Sequence, residues 1–253
     1  MDYSKWKTFV QEDVDPSSIS LDSFQVQSKL NSEFWLENKL NPFIRERLIK
    51  IAEDFWAELD LAVDFEDITF TGSLANYNWS KFSDIDLHII IDYTKVDKNV
   101  DLVREMFMAK KSVWNQRHDI IIHDFEVEIY VQDGGEEHVS TGVYSVLDDR
   151  WVTEPEPMEF TIDKPAVQKK AAGIMDEIDK IEGMVAAGDY EDAKSYADKL
   201  KAKIRKMRQS GLEREGAYSN ENLAFKVLRR NDSLGKLSDL QASAYDRAMG
   251  VEQ

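Results

Sequence analysis

The chain has 253 residues, 42% of them apolar and 32% charged, with a formal net charge of −17 and no cysteine. That length allows one or two domains with a sizeable core, and the absence of cysteine excludes disulfides and Cys-ligated zinc or iron–sulfur sites. The longest apolar runs fall well short of the ~20 residues that a membrane-crossing helix needs, and so acidic a chain has no bulk attraction for nucleic acid.

The N-terminus, Met-Asp-Tyr-Ser-Lys-Trp-Lys, has no apolar h-region, so no signal peptide is expected. With the lack of cysteine, this fits a cytoplasmic protein. Residues 1–30 carry no strong periodicity and read as an arm. Asn41-Pro42 then starts a helix, Asn as N-cap and Pro in the first turn. Phe43, Leu48, Ile51, Phe55 and Leu59 give that helix an apolar stripe. Residues 67–71 read as a strand ending at Gly72, and 84–92 as a second strand. A helix is expected over 99–116, with Leu102, Met106, Met108 and Val113 partly periodic, and a short strand over 119–122. Residues 124–132, Asp-Phe-Glu-Val-Glu-Ile-Tyr-Val-Gln, alternate strictly and give the strongest strand signal in the chain. Asp133-Gly134-Gly135 ends it in a turn, and 142–147 reads as one more strand.

Three of the five prolines, Pro155, Pro157 and Pro165, fall between 150 and 166, which marks a connection between domains. Beyond it the pattern is helical: 166–187 up to Gly188, 190–209 up to Ser210-Gly211, then 219–230 with Ser219 as N-cap, and 236–248. The fold class expected is α+β. An N-terminal arm (1–40) precedes a mixed-sheet domain (41–155), and an all-α domain (156–253) follows.

The chemistry concentrates between residues 70 and 86. Gly72-Ser73 closes one apolar strand, and after a spacer of ten residues Asp84 and Asp86 open the next. Alternate residues of a strand share a face, so these two carboxylates project together, roughly 6–7 Å apart. Like charges this close repel, and a hard divalent cation, Mg²⁺ or Mn²⁺, removes the penalty. On strand 124–132, Glu126, Glu128 and Tyr130 lie opposite the apolar face. Glu128, the more central, is the expected third carboxylate, with Glu126 as the alternative. Three carboxylates on adjacent strands suit two metals about 4 Å apart, the arrangement that clamps an in-line phosphoryl transfer. Gly72 allows close approach of a phosphate, and Ser73 adds a backbone N–H and a hydroxyl.

Phe70, Gly72-Ser73, Asp84-Ile85-Asp86 and Glu128, with Ser83 before and Leu87 after the aspartates, resemble the signature of the DNA polymerase beta-like nucleotidyltransferase superfamily. The resemblance spans residues 45–132. It implies that Asp84 and Asp86 bind both metals, that Glu128 binds the catalytic metal and helps to activate the acceptor hydroxyl, and that Gly72 and Ser73 hold the β and γ phosphates of a nucleoside triphosphate. It also implies a helical domain closing over the nucleotide. The polar mix of 216–226 is similar to that of predicted nucleotidyltransferases of tailed bacteriophages.

Residues 199–208 hold six basic residues and no acid. They read either as a phosphate contact or as a solvated helix face. Lys199, Lys203 and Lys206 share one face, and Lys201, Arg205 and Arg208 another. Lys203 and Lys206 are the candidate nucleotide contacts. Tyr218 is a candidate for stacking on a base, or a packed aromatic. His88, His118 and His123 read as structural histidines.

The expected function is therefore transfer of a nucleoside monophosphate from an NTP to an acceptor hydroxyl, with release of pyrophosphate. The acceptor stays open among an RNA 3′ end, a protein hydroxyl and a small molecule. The alternative is an antitoxin-like or degenerate transferase that acts by binding or modifying a protein partner. No membrane partner and no extensive nucleic-acid footprint are expected.

Overall fold

The computed structural model describes residues 13–136, 140–157 and 160–250. They form two compact units, one of residues 23–157 and the other of 13–22 with 160–250. The stretch read from sequence as an arm over 1–40 is thus divided between the units, and its first twelve residues lie outside the described residues. The fold is mixed α+β, and among the described residues no helix is long and apolar enough to cross a membrane.

The first unit is built on a six-stranded sheet. In chain order its elements are β1 (Trp35–Leu36), β2 (Lys39–Leu40), α1 (Pro42–Leu59), β3 (Asp67–Thr71), β4 (Ile85–Ile91), α2 (Val100–Arg117), β5 (Ile121–Ile122), β6 (Phe125–Asp133), β7 (Val143–Ser145) and β8 (Arg150–Thr153). The sheet order is β5-β6-β4-β3-β7-β8, and β1 and β2 form a separate hairpin. Among the described residues only β4 and β6 pair in parallel. A parallel pair needs a long crossover, and α2 supplies it between those two strands.

Alternation sets the two faces of this sheet. Ile85, Leu87, Ile89 and Ile91 of β4, Phe125, Val127 and Ile129 of β6, and Ile68 and Phe70 of β3 enter the core. They cluster with Ile44, Leu48, Ala52, Phe55 and Trp56 of α1 and with Val103, Phe107 and Trp114 of α2. Phe55 and Trp114 meet edge to face at 5.4 Å.

Most of the stripe expected of α1 meets the core, with Leu48 and Phe55 buried and Ile51 and Leu59 packed against it, whereas of the four residues expected in α2 only Met106 does so. Phe43 is 63% exposed, with Arg47 over its ring, because the buried row of α1 begins one residue later at Ile44. Leu102, Met108 and Val113 of α2 are exposed, and its buried row is 103, 107 and 114. Two elements went unread in the sequence. The β1–β2 hairpin turns at Glu37-Asn38, both at positive φ, without the glycine that usually marks such a turn. Strand β8 lies inside the segment expected to link the domains and pairs with β7.

The hairpin and the residues before it brace the turn after β3. Trp35 Nε1 donates to Leu74 O at 2.7 Å while its ring stacks on Phe70. Gln27 N donates to Tyr77 O at 2.7 Å, and Trp79 Nε1 donates to Lys29 O at 2.9 Å.

The second unit contains α3 (Lys164–Ala187), α4 (Tyr190–Glu215), α5 (Asn220–Arg230) and α6 (Ser233–Met249). Its core gathers Ile174, Ile178, Ile181, Leu200, Ile204, Leu228 and Leu237. Asp163 caps α3 through Ala166 N, and Gly188 ends it in the left-handed region at φ 85°, the conformation that glycine adopts without strain. The expected stop of α4 at Ser210-Gly211 is overturned. The helix runs through both residues to Glu215, and Gly211 is instead the contact point for the start of α5: a Cβ there would lie 2.6 Å from Ser219 Oγ and from Glu221 Cβ. Ser219 caps α5 through Asn222 N. The N-terminal segment joins this unit through Val14 N to Asp176 Oδ1 and Gln168 Nε2 to Ile19 O, both 2.8 Å.

Candidate metal centre and phosphate turn

The site lies on the polar face of the sheet, where three strands present one row of side chains. Thr71 of β3 stands opposite Asp86 of β4 in the antiparallel pair. Asp86 stands opposite Glu128 of β6 in the parallel pair. Asp84, just before β4, shares the face of Asp86 by alternation. Asp84, Asp86 and Glu128 each offer a carboxylate oxygen, and the three atoms lie within 4.8 Å of one another; all three residues are half-buried. At such separations each ionised pair repels by on the order of 3 kcal/mol at an effective dielectric near 20. The donors are all hard oxygens, a set that suits Mg²⁺ or Mn²⁺ rather than softer metals.

Glu126, the other candidate for the third carboxylate, sits two residues before Glu128, opposite Ile121 on the exposed rim. Burial pushes its carboxyl up from the ordinary range, and the charges of Glu128, Asp119 and Asp84 add to that.

The turn after β3 is shaped around the same aspartate. Gly72 has φ 79°, and a Cβ built on it would lie 1.8 Å from Asp86 Oδ2. No residue with a side chain fits beneath that carboxylate. Ser73 Oγ donates to Ser83 Oγ at 2.7 Å, and Ser80 N donates to the same oxygen at 3.0 Å. The ends of the ten-residue spacer are thereby tied together, so the Gly-Ser turn and the Asp84–Asp86 strand form one closed unit.

Sequence reasoning missed the groups that surround Glu128. Tyr130, next on the same face of β6, donates its hydroxyl to Glu128 Oε2. Burial, the bond to Glu128 and the nearby carboxylates all raise its pKa, so the phenol keeps its proton. Lys111 of α2 places Nζ 3.8 Å from the centre of the Tyr130 ring. Burial lowers the pKa of this lysine, and the charges of Glu128 and Asp86 oppose the shift. Strand alternation places Tyr130 on the face of Glu128, but nothing in the sequence signals its bond to that carboxylate. Lys111 had no signal, since its place depends on how α2 is rotated against the sheet.

The remaining candidates are placed as follows. His88 Nδ1 lies 2.9 Å from Gln132 Oε1, and its ring stacks on Tyr130. The backbone of His118 closes the last turn of α2, and His123 takes positive φ between β5 and β6. Tyr218 packs on Phe160, ring centres 3.7 Å apart. Lys203 and Lys206 lie on α4, in the helical unit rather than in the sheet unit with the triad. Lys203 Nζ is engaged by Glu177 at 2.6 Å, and Lys206 is exposed.

Comparison of the chain with protein-family models, with curated proteins and with solved structures returns no match.

Proposed function

We propose that the protein is a metal-dependent nucleotidyltransferase. It moves a nucleoside monophosphate from an NTP to an acceptor hydroxyl and releases pyrophosphate. The acceptor oxygen forms a bond to the α phosphorus, the bond from that phosphorus to the bridging oxygen breaks, and the hydroxyl proton leaves to a carboxylate. The observation that carries this reading is the row of three carboxylates, Asp84, Asp86 and Glu128, with oxygens within 4.8 Å on adjoining strands beside a Gly-Ser turn.

On this reading Asp84, Asp86 and Glu128 hold Mg²⁺ or Mn²⁺, in the two-metal arrangement that three shared carboxylates allow. A bound divalent cation supplies neutralisation of the charge that develops on the phosphoryl oxygens. The backbone of Gly72 and the N–H and hydroxyl of Ser73 receive the triphosphate, since glycine lets a phosphate come close to the chain. Glu128 also accepts the proton of the attacking hydroxyl. Positioning of acceptor and phosphate accounts for much of the rate.

The net charge of −17 favours an acceptor with a small footprint, whether an RNA 3′ end, a protein hydroxyl or a small molecule. The test is pyrophosphate release from each NTP with Mg²⁺ or Mn²⁺, using RNA, lysate protein and small hydroxyl compounds as acceptors. Release by the wild-type chain that stops with Asp84→Asn supports the reading. Equal release from the variant removes the site assignment.

A further inference from the structure

Strand β6 is gripped beside Glu128 by one face of α2. Strand β5 pairs with Phe125 and Glu126, and among the described residues no strand pairs with that edge of β6 beyond them. Asn115 takes over there: Nδ2 donates to Ile129 O and Ile129 N donates to Oδ1, both at 3.2 Å. One helical turn earlier, on the same face of α2, Lys111 lies over the Tyr130 ring at 3.8 Å. A cation at this distance from an aromatic face is attracted to it. The same ring stacks on His88 at 4.9 Å, and His88 is held by Gln132. Groups from α2, β4 and β6 therefore fix the ring, and its hydroxyl reaches Glu128 Oε2.

We infer that Tyr130 is the positioning residue of the third carboxylate, locked by Lys111 and Asn115 and holding Glu128 toward Asp84 and Asp86. This rests on the metal-dependent reading of the triad. A glutamate on a strand has several rotamers, and repulsion from two aspartates drives it away from them. The phenol hydrogen bond selects one rotamer and leaves Oε1 and the remaining lone pair of Oε2 available to a cation. Partners of this kind orient a ligand without touching the metal, and their loss weakens metal binding about 10–100-fold.

Tyr130→Phe removes the hydroxyl and keeps the ring, its stack on His88 and its contact with Lys111. The experiment is titration of the nucleotide-free protein with Mn²⁺, followed by electron paramagnetic resonance, for the wild type, Tyr130→Phe, Glu128→Gln and the double variant. The expected result is a loss of about tenfold or more in Mn²⁺ affinity for Tyr130→Phe, at an unchanged thermal midpoint without cation. No further loss is expected when the change is added to Glu128→Gln, because the two residues act as one unit. In transfer assays kcat falls while KM for the NTP stays within about twofold, the pattern of an interaction that serves the transition state. Affinity within about threefold of wild type in Tyr130→Phe, or a full further loss on the Glu128→Gln background, overturns the inference while leaving the metal site standing. A wild-type chain that binds no Mn²⁺ overturns the metal reading itself, and the inference with it.

Discussion

Asp86 occupies the space that a side chain at residue 72 would need: its Oδ2 lies 1.8 Å from where a Cβ on Gly72 would stand. A side chain at residue 72 therefore cannot be added while the carboxylate of Asp86 keeps its place. Gly72→Ala is expected to cost about 1–2 kcal/mol for a left-handed φ in a residue with a side chain, and to move the Asp86 carboxylate as well. Urea unfolding should register the first effect. Mn²⁺ titration should register the second as a loss of about tenfold or more. A variant with wild-type metal affinity would separate the turn from the site.

The crowded carboxylates predict how stability responds to a cation. Binding to the folded state alone raises stability by about 2.7 kcal/mol at a hundredfold excess over Kd. The thermal midpoint of the wild type should rise with Mn²⁺, and that of Asp86→Asn should not. Without a cation the variant should be at least as stable as wild type, because losing the charge of Asp86 removes its repulsion with Asp84 and Glu128. Equal Mn²⁺ stabilisation of both proteins would place the cation elsewhere.

Asp67 sits at the other end of the same sheet face, opposite Ile90, and accepts from Ser145 Oγ at 2.8 Å. Burial raises its carboxyl above the ordinary value of 3.8, and its hydrogen bonds to Ser145 and Ile68 oppose the shift. A group that holds its proton more tightly when folded stabilises most below its unfolded pKa, and that contribution is lost as pH rises through the folded value. Asp67→Asn keeps an acceptor for Ser145 without the charge. Its stability relative to wild type should climb as pH rises above about 4 and level off once the folded carboxyl has ionised, measured by urea unfolding across the acidic and neutral range. A difference that stays flat with pH would remove the burial argument.

Gly211 tests the packing of α4 against the start of α5. Alanine is the better helix former by about 1 kcal/mol, so an isolated helix would gain from Gly211→Ala. Here the new methyl would meet Ser219 Oγ and Glu221 Cβ at 2.6 Å. The expected outcome is net destabilisation of about 1–3 kcal/mol in chemical unfolding. A stabilised variant would mean that α5 can shift freely.

The strands that carry the triad were legible because their signals are local. Apolar runs and strict alternation delimit β3, β4 and β6 to within a residue or so, and alternation alone puts Asp84 with Asp86. The choice between Glu126 and Glu128 was not local. Both share a face; centrality in the strand favoured Glu128, and the parallel register that sets it opposite Asp86 is what brings it to the two aspartates. The exposure of Phe43 in α1 and of Leu102, Met108 and Val113 in α2 was hidden for the same reason: such residues suit a helix but fall outside the row that meets the sheet. Gly211 read as a helix stop because glycine serves both as terminator and as close-contact residue, and sequence does not separate the two uses. The basic stretch 199–208 was visible as charge, while the engagement of Lys203 by Glu177 depends on how α3 and α4 pack.

The most direct test of the central claim follows the fate of each phosphate. An NTP labelled at the α position, and the same NTP labelled at the γ position, are incubated with the protein, Mg²⁺ and candidate acceptors. Nucleotidyl transfer leaves α label on the acceptor and γ label in pyrophosphate, and Asp86→Asn abolishes both. Transfer of γ label to the acceptor, or incorporation of α label that survives in Asp86→Asn, would contradict the account.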